Sequence, residues 1–326
     1  MTTTAEAIAL VTAARTPEDL FGGDFPHRTY RRLARLLHPD LAPGAEAAEA
    51  FSRLAGLWAA RGGARDRATE RAKETVITTR RGTYRIGGVF RRGASAVLYE
   101  SGTDTLLKLP RSHADNDLMR REAESLETIA RDGDPLLLPY VPRLVESFRH
   151  RSERVERQAN VISRVPDGFL SLDEVRLRRP VLDVRDVAWI WRRLLVAVGA
   201  AHRAGVVHGA VFGQHVLVHP LDHGLVLVDW SQSVPLGTPI TALVARHRDD
   251  YPPSVLARRP ATPATDIHLA TRCVAALMGD HVPVPVRNFV RGSLLSPPND
   301  AWRLLGELDD LLDDLYGPRK YRPLHL

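Results

Sequence analysis

The residues best suited to chemistry are scattered along the chain. Lys108 closes the apolar run LLKL, Glu122 lies in LMRREAESLETIA, and Asp229 ends the apolar run GLVLVDWS. Between the last two comes VVHGAVFGQHVLVH, with His208, Ala210 and His215. A compact ammonium suits phosphate oxygens, and a carboxylate suits a hard divalent cation. The chain's lysine and arginine total is 45, yet Lys73, Lys108 and Lys320 are its only lysines. A lysine at the end of an apolar strand is therefore informative. The four histidines His208, His215, His219 and His223 do not suggest a shared ion. His215 and His219 on one strand face would stand roughly 13 Å apart. His219 and His223 bracket the turn HPLDH and are expected to face solvent.

Elements must carry these residues to one place. YRIGGVFRRGASAVLYESGTDTLLKLP reads as strands with a glycine-bearing turn, a second turn at SGTD, and a last strand holding Lys108. LMRREAESLETIA has helical spacing, with Leu118, Ala123, Leu126 and Ile129 inward and Glu122 available as a partner for Lys108. DVAWIWRRLLVAVGAAHRAG is a second amphipathic helix, through Val187, Ile190, Leu194 and Val198. It ends at Gly205, just before VVHG. DIHLATRCVAAL is helical, with Cys273 as a small hydrophobe rather than a reactive thiol. PPNDAWRLLGELDDLLDDLYG is a final amphipathic helix.

In this order the motifs resemble a protein-kinase-like fold over about residues 81–318. The HG and DW pairs are closer to aminoglycoside- and choline-kinase-like phosphotransferases. The resemblance implies a bilobal α+β architecture with its hinge at VPDG. It implies that Lys108 and Glu122 form the ion pair that serves the α- and β-phosphates of ATP, and that Asp229 holds Mg²⁺. In the pattern G-x-G-x-x-G the three glycine positions fall on Arg91, Gly93 and Ala96, so only Gly93 remains. The pattern H-R-D-x-x-x-x-N falls without a gap on His208 to His215. Ala210 stands where the catalytic aspartate belongs and His215 where the metal-binding asparagine belongs. Trp230 and Ser231 replace the usual Phe-Gly after Asp229. Asp266 matches the aspartate that braces the loop, and Ser254 replaces a usual glutamate. The nucleotide-holding half is thus partly intact, in Lys108, Glu122 and Asp229 with Gly93 of the worn loop, while the transfer half is degenerate. General-base and positioning roles are commonly worth roughly 10²–10⁴-fold, so conventional kinase activity is expected to be very low. His208 is expected to hydrogen-bond backbone near Asp229.

The front of the chain has a different grammar. HRTYRRLARLLHPD places Tyr30, Leu33, Leu36 and Leu37 on one face and its arginines mostly on the other. Proline then stops the helix. AEAAEAFSRLAGLWAA resumes with Phe51, Leu54 and Trp58 at apolar spacing. These parts resemble the J domain of DnaJ-type co-chaperones. The resemblance implies that Arg31, Arg32, Arg35, His38, Pro39 and Asp40 dock on a DnaK-type ATPase. A helical bundle in which HPD is merely a helix stop is the plainer alternative. The expected division is a small all-α module over 1–65, a charged linker over 66–80, and the kinase-like body over 81–326.

Composition limits the rest. The chain has 326 residues, 44% hydrophobic and 26% charged, with a net charge of +6. Its basic residues are spread rather than gathered into a stripe, so nucleic-acid binding is not expected. No apolar run approaches the roughly 20 residues of a membrane helix. The amino terminus lacks a basic region ahead of its apolar stretch. A single cysteine excludes an internal disulfide and fits a reducing cytoplasm. Two functions are expected on these grounds: an adaptor joining a DnaK-type chaperone to a nucleotide-sensing or client-binding pseudokinase, or an atypical ATP-dependent phosphotransferase or nucleotidyltransferase acting on protein.

Overall fold

The computed structural model describes residues 3–21, 26–37, 42, 44–69, 75–152 and 155–326. It divides into two compact units, Met1–Thr75 with Gly87–Val89, and Val76–Ile86 with Phe90–Leu326. The first unit holds the helices α1 (Thr4–Ala13), α2 (Pro17–Phe21), α3 (Pro26–Leu36) and α4 (Ala45–Thr69). A capping box opens α1: the Thr3 side chain accepts from the Glu6 N–H, and the Glu6 carboxylate accepts from the Thr3 N–H at 2.8 Å. The core joins Ala7, Val11, Phe21, Leu33, Leu37, Ala50 and Leu54. Tyr30 stacks on Trp58 at 4.6 Å, and Phe21 meets Trp58 edge-on at 5.0 Å. Arg53 crosses to α1, its guanidinium donating to the Ala14 carbonyl at 2.8 Å. On α3 the side chains of Arg32 and Arg35 are exposed. The Arg31 side chain and the His38, Pro39 and Asp40 tripeptide lie outside the described residues.

A six-stranded sheet follows in the order β1-β2-β3-β4-β6-β5, all of it in the second unit except Thr75 and Gly87–Val89. Its strands are β1 (Thr75–Thr78), β2 (Thr83–Arg92), β3 (Ala96–Ser101), β4 (Thr105–Pro110), β5 (Leu144–Ser152) and β6 (Val155–Ser163). Helix α5 (Asn116–Asp132) packs on it. The two-residue period of β4 sends Leu106 and Leu107 to opposite faces. Leu107 joins Ile77, Ala159 and Val161, whereas Leu106 joins the main core with Leu126 and Ile129 of α5. Lys108 therefore shares its face with Leu106 and points toward α5. The charged stretch expected as a linker over 66–80 carries secondary structure at both ends. Helix α4 continues through Thr69, and the β-branched run TVIT forms β1.

The helical lobe comes next: β7 (Leu170–Ser171), α6 (Leu172–Arg178), α7 (Val184–Arg203), β8 (Val206–Val207), β9 (Val216–His219), β10 (Gly224–Leu227), β11 (Val234–Pro235), α8 (Pro253–Leu256), α9 (Pro263–Ala275), α10 (Val284–Leu295) and α11 (Ala301–Tyr316). Helix α7 is its axis, with Val187, Ile190, Trp191, Leu194, Leu195 and Val198 all fully buried. Each such leucine contributes roughly 1.5–3 kcal/mol relative to exposure. Neither α1 nor α10 is among the expected elements. The expectation that His223 faces solvent is overturned. Its ring is buried, stacked on Trp189 at 4.0 Å, and its Nε2 donates to the Arg322 carbonyl at 2.7 Å. The cause is the C-terminal stretch, which covers the turn: Leu324 is buried and its N–H reaches the Pro220 carbonyl. Among the described residues, no helix is long and apolar enough to cross a membrane.

Candidate functional site

Lys108, Glu122 and Asp229 meet although 121 residues separate the first from the last. The Lys108 Nζ donates to Glu122 Oε1 at 2.6 Å and to Asp229 Oδ1 at 2.7 Å. Strand period turns the lysine inward, and helical period does the same for Glu122, which lies on the buried stripe of α5 with Leu118, Met119, Ala123 and Leu126. The side chains of Lys108 and Glu122 are 3% and 1% exposed, against 29% for Asp229. Asp229 is thus the member of the trio that an incoming group can reach. Burial by itself would push the lysine down, but the Asp229 and Glu122 carboxylates outweigh it and hold the ammonium above its ordinary range. Burial would likewise raise Asp229, yet Lys108 and His215 hold its carboxyl well below the usual range.

The trio has a supporting shell that sequence reasoning did not identify. Asn160, fully buried and paired with Lys108 across the β4–β6 ladder, donates from Nδ2 to Glu122 Oε2 at 3.1 Å and to the Met119 carbonyl at 2.8 Å. The Trp230 N–H donates to Glu122 Oε1 at 3.2 Å. Ser231, also fully buried, donates to Asp229 Oδ1 at 2.7 Å. Asp229 itself has φ 62° and ψ 70°. A non-glycine residue held in the left-handed region stores about 1–3 kcal/mol of strain and needs surroundings that over-determine it. The sequence signal for this shell is the pair Trp230-Ser231, standing where the kinase-like pattern has Phe-Gly.

The second cluster is the loop from His208 to His215. Its anchor is Asp266 on α9, fully buried, which accepts from the N–H of His208 at 2.7 Å, the N–H of Gly209 at 2.8 Å and His202 Nε2 at 2.9 Å. Burial opposes the charge, but these donors hold the Asp266 carboxyl below its ordinary range. Gly209 has φ 73°, and a Cβ there would stand 2.8 Å from the Gln232 carbonyl; the HG pair is a backbone requirement. His208 is fully buried. Its Nε2 donates to the Val228 carbonyl at 3.2 Å, and its Nδ1 accepts from the Ala210 N–H at 3.2 Å. Burial pushes its pKa down to about 4, so it is neutral at physiological pH.

Ala210 is fully buried. Its carbonyl accepts from His215 Nδ1 at 2.8 Å, and the other ring nitrogen of His215 lies 3.3 Å from Asp229 Oδ2. Phe212 stacks on His247 at 4.1 Å and meets Tyr251 edge-on. His247 reaches Gln214 Oε1 at 3.1 Å and Asp250 at 2.8 Å. No carboxylate stands at 210, and an aromatic cluster flanks the loop. Cys273 donates to the Val211 carbonyl at 3.2 Å, and burial pushes its thiol up to about 12, which keeps it from acting as a nucleophile.

Gly93 closes the β2–β3 hairpin, its N–H donating to the Ala96 carbonyl at 2.8 Å. That donor is spent on the turn rather than left for a phosphate. Arg91 extends to α6, where it pairs with Glu174 at 3.2 Å.

Mg²⁺ demands near-octahedral oxygen coordination at about 2.0–2.1 Å. The residues present do not fit it. Asp229 Oδ1 already accepts two hydrogen bonds, and Oδ2 faces the bare Nε2 of His215, whose ring proton goes from Nδ1 to the Ala210 carbonyl. Glu122 is sealed by Lys108, Trp230 and Asn160. The imidazole of His215 stands where a second oxygen donor is required.

No protein-family profile matches the chain, and no curated protein matches it. Among solved structures it is similar to vaccinia related kinase 3, at 15% sequence identity and a TM-score of 0.56, over 78% of this chain and 96% of that one. With the sheet lobe, the helical lobe and the Lys108–Glu122 pair at their junction, this likeness shows that the chain carries a protein-kinase-like fold.

Proposed function

We propose that the kinase-like unit is a pseudokinase that binds nucleotide without transferring its phosphoryl group, and that the helical unit is a J-domain-like adaptor for a DnaK-type chaperone, the whole presenting a client protein. The observation that carries the first part is the contrast between an assembled Lys108, Glu122 and Asp229 and a fully buried Ala210 with no acceptor. Transfer needs a group that orients the acceptor hydroxyl and takes its proton. A methyl can do neither. Melting curves with ATP and ADP test the binding, because a ligand that binds only the folded state raises the midpoint. A rise that Lys108→Ala abolishes is the expected result; an unchanged midpoint would refute it.

The chaperone reading is supported by a basic α3 with Arg32 and Arg35 exposed and a packed α4 after it. Stimulation of a DnaK-type ATPase by the wild type and its loss in His38→Gln are expected. The partly exposed, strained Asp229 beside an intact lysine–glutamate pair favours one second reading, an atypical ATP-dependent transferase acting on protein. Transfer of label from ATP to the protein itself or to a client, lost in Lys108→Ala, would establish it.

A further inference from the structure

His215 and Asp229 face each other across a gap that no proton fills. The ring proton of His215 goes from Nδ1 to the Ala210 carbonyl at 2.8 Å. That leaves Nε2 as a bare lone pair 3.3 Å from Asp229 Oδ2. The Gln214 amide stands 3.4 Å from the same nitrogen, long for a hydrogen bond. A lone pair set against a carboxylate oxygen is repulsive until a positive charge stands between them. We infer that His215 Nε2 and Asp229 Oδ2 together ligate a borderline first-row divalent ion of the Co²⁺ or Zn²⁺ class, with the phosphates of a nucleotide filling its remaining positions. The inference rests on the nucleotide-binding reading above for those phosphates and names the ion that accompanies them.

The surroundings are those of a ligand pair. A metal-bound imidazole ordinarily gives its other N–H to a carbonyl or carboxylate, which fixes tautomer and ring, and a ligating carboxylate is hydrogen-bonded in turn. His215 has that bond to Ala210. Asp229 receives Lys108 and Ser231 on Oδ1, both at 2.7 Å, which leaves Oδ2 to the ion. Ligation needs a charged carboxylate and a neutral imidazole. Burial opposes the Asp229 charge, but Lys108 outweighs it and keeps the carboxyl ionised, while burial keeps the His215 ring neutral. With metal–ligand bonds of about 2.1 Å, an N···O span of 3.3 Å subtends about 104° at the ion, close to tetrahedral. Asp229 is the more exposed of the two and gives the ion its way in. Imidazole suits a borderline ion and suits Mg²⁺ poorly. Histidine at 215, where the kinase-like pattern has asparagine, therefore sets the choice of metal.

The experiment is calorimetric titration of the full chain with ATP in EDTA, in Mg²⁺ and in Co²⁺, the last chosen because it reports its ligands. The apparent Kd should be at least about tenfold lower in Co²⁺ than in Mg²⁺. His215→Asn should bring the two ions close together. Proton resonance of the wild type with Co²⁺ and ATP should show one exchangeable imidazole N–H shifted far downfield, the His215 proton held by Ala210. That signal should be missing without ATP and missing in His215→Asn. Binding as tight in EDTA as in Co²⁺, or equally tight in Mg²⁺ and Co²⁺, would overturn this inference and leave the nucleotide reading standing. A shifted imidazole signal that survives in His215→Asn would also overturn it, because another histidine would then be the ligand. Binding of ATP under none of the three conditions would overturn both readings.

Discussion

The two clusters at the lobe junction share one scaffold and are treated oppositely. Around Lys108 the fold buries two charges, Lys108 and Glu122, leaves Asp229 partly exposed, and gives each several partners. Around Ala210 it keeps the backbone path and removes the charge. The Ala210 N–H goes to His208 and its carbonyl to His215, so the loop satisfies itself with imidazoles where a carboxylate would otherwise accept. The shape of such a loop and its chemistry are therefore separable. Shape comes from Asp266 and Gly209, and chemistry from position 210.

On this division the largest effect belongs to the shared anchor. Asp266→Ala strips the acceptor from two buried backbone N–H groups and from His202. Removing one side of a buried charged network typically costs about 3–5 kcal/mol. Urea denaturation should show a loss of that size, together with loss of any nucleotide-dependent stabilisation. A change under about 1 kcal/mol, the range of ordinary surface substitutions and exposed pairs, would mean the loop holds itself.

Next in size is the response to acid, which should come from the imidazole side. Unfolded, His208 takes up its proton near 6.5; folded, burial holds it down to about 4. Above 6.5 both states are neutral and His208 contributes no pH dependence. Between 6.5 and 4 the unfolded chain gains a proton that the folded chain refuses, so stability falls as pH falls. Below about 4 both are protonated and the loss levels off, at roughly 3 kcal/mol for this group. Buried His215 is also held down, first by desolvation, and adds to the loss in the same direction. Denaturation midpoints across this window should be flatter in His208→Gln than in the wild type. An equal slope would assign the acid sensitivity elsewhere.

A smaller effect tests whether chemistry can be put back. Ala210→Asp places a carboxyl at a fully buried position whose neighbours are already paired. Burying an unpartnered polar group costs roughly 1–3 kcal/mol. We expect a lower melting midpoint and no transfer of label from ATP. Transfer restored by this one substitution would show that the acceptor side is intact apart from its base.

What was legible in the sequence divides along the same line. Lys108 on strand period, Glu122 on helix period, and Asp229 after an apolar strand each carry a local signal, and the structure brings them within 2.7 Å. Asp266 was legible only through the resemblance. The supporting shell was not. Asn160 matters because the β4–β6 register sets it opposite Lys108, and register is a tertiary fact. The solvent-facing expectation for His223 failed for a similar reason: HPLDH looks like a solvent turn until Leu324, about a hundred residues on, is folded over it. Helix α1 did carry a signal, Thr3 and Glu6 spaced as a capping box, which composition alone had masked.

The smallest effect concerns the mouth of the charged cluster. Arg91 stands at the first glycine position of the worn loop and pairs with Glu174 on α6 at 3.2 Å, with both side chains nearly half exposed. Such a pair contributes roughly 0.2–1 kcal/mol to stability, so Arg91→Ala should hardly move the melting midpoint. Its place predicts more than its energy does. The bridge joins the β2–β3 hairpin to α6, and under the nucleotide-binding proposal a nucleotide entering between them would break it. Arg91→Ala should therefore raise the association rate of a fluorescent ATP analogue, while removing one cation also raises its dissociation rate. Added salt screens an exposed pair over a Debye length of about 8 Å at physiological strength. Salt should then speed entry into the wild type but not into Arg91→Ala. An equal salt response in both would show that the pair is an ordinary surface contact and that the loop opens without it.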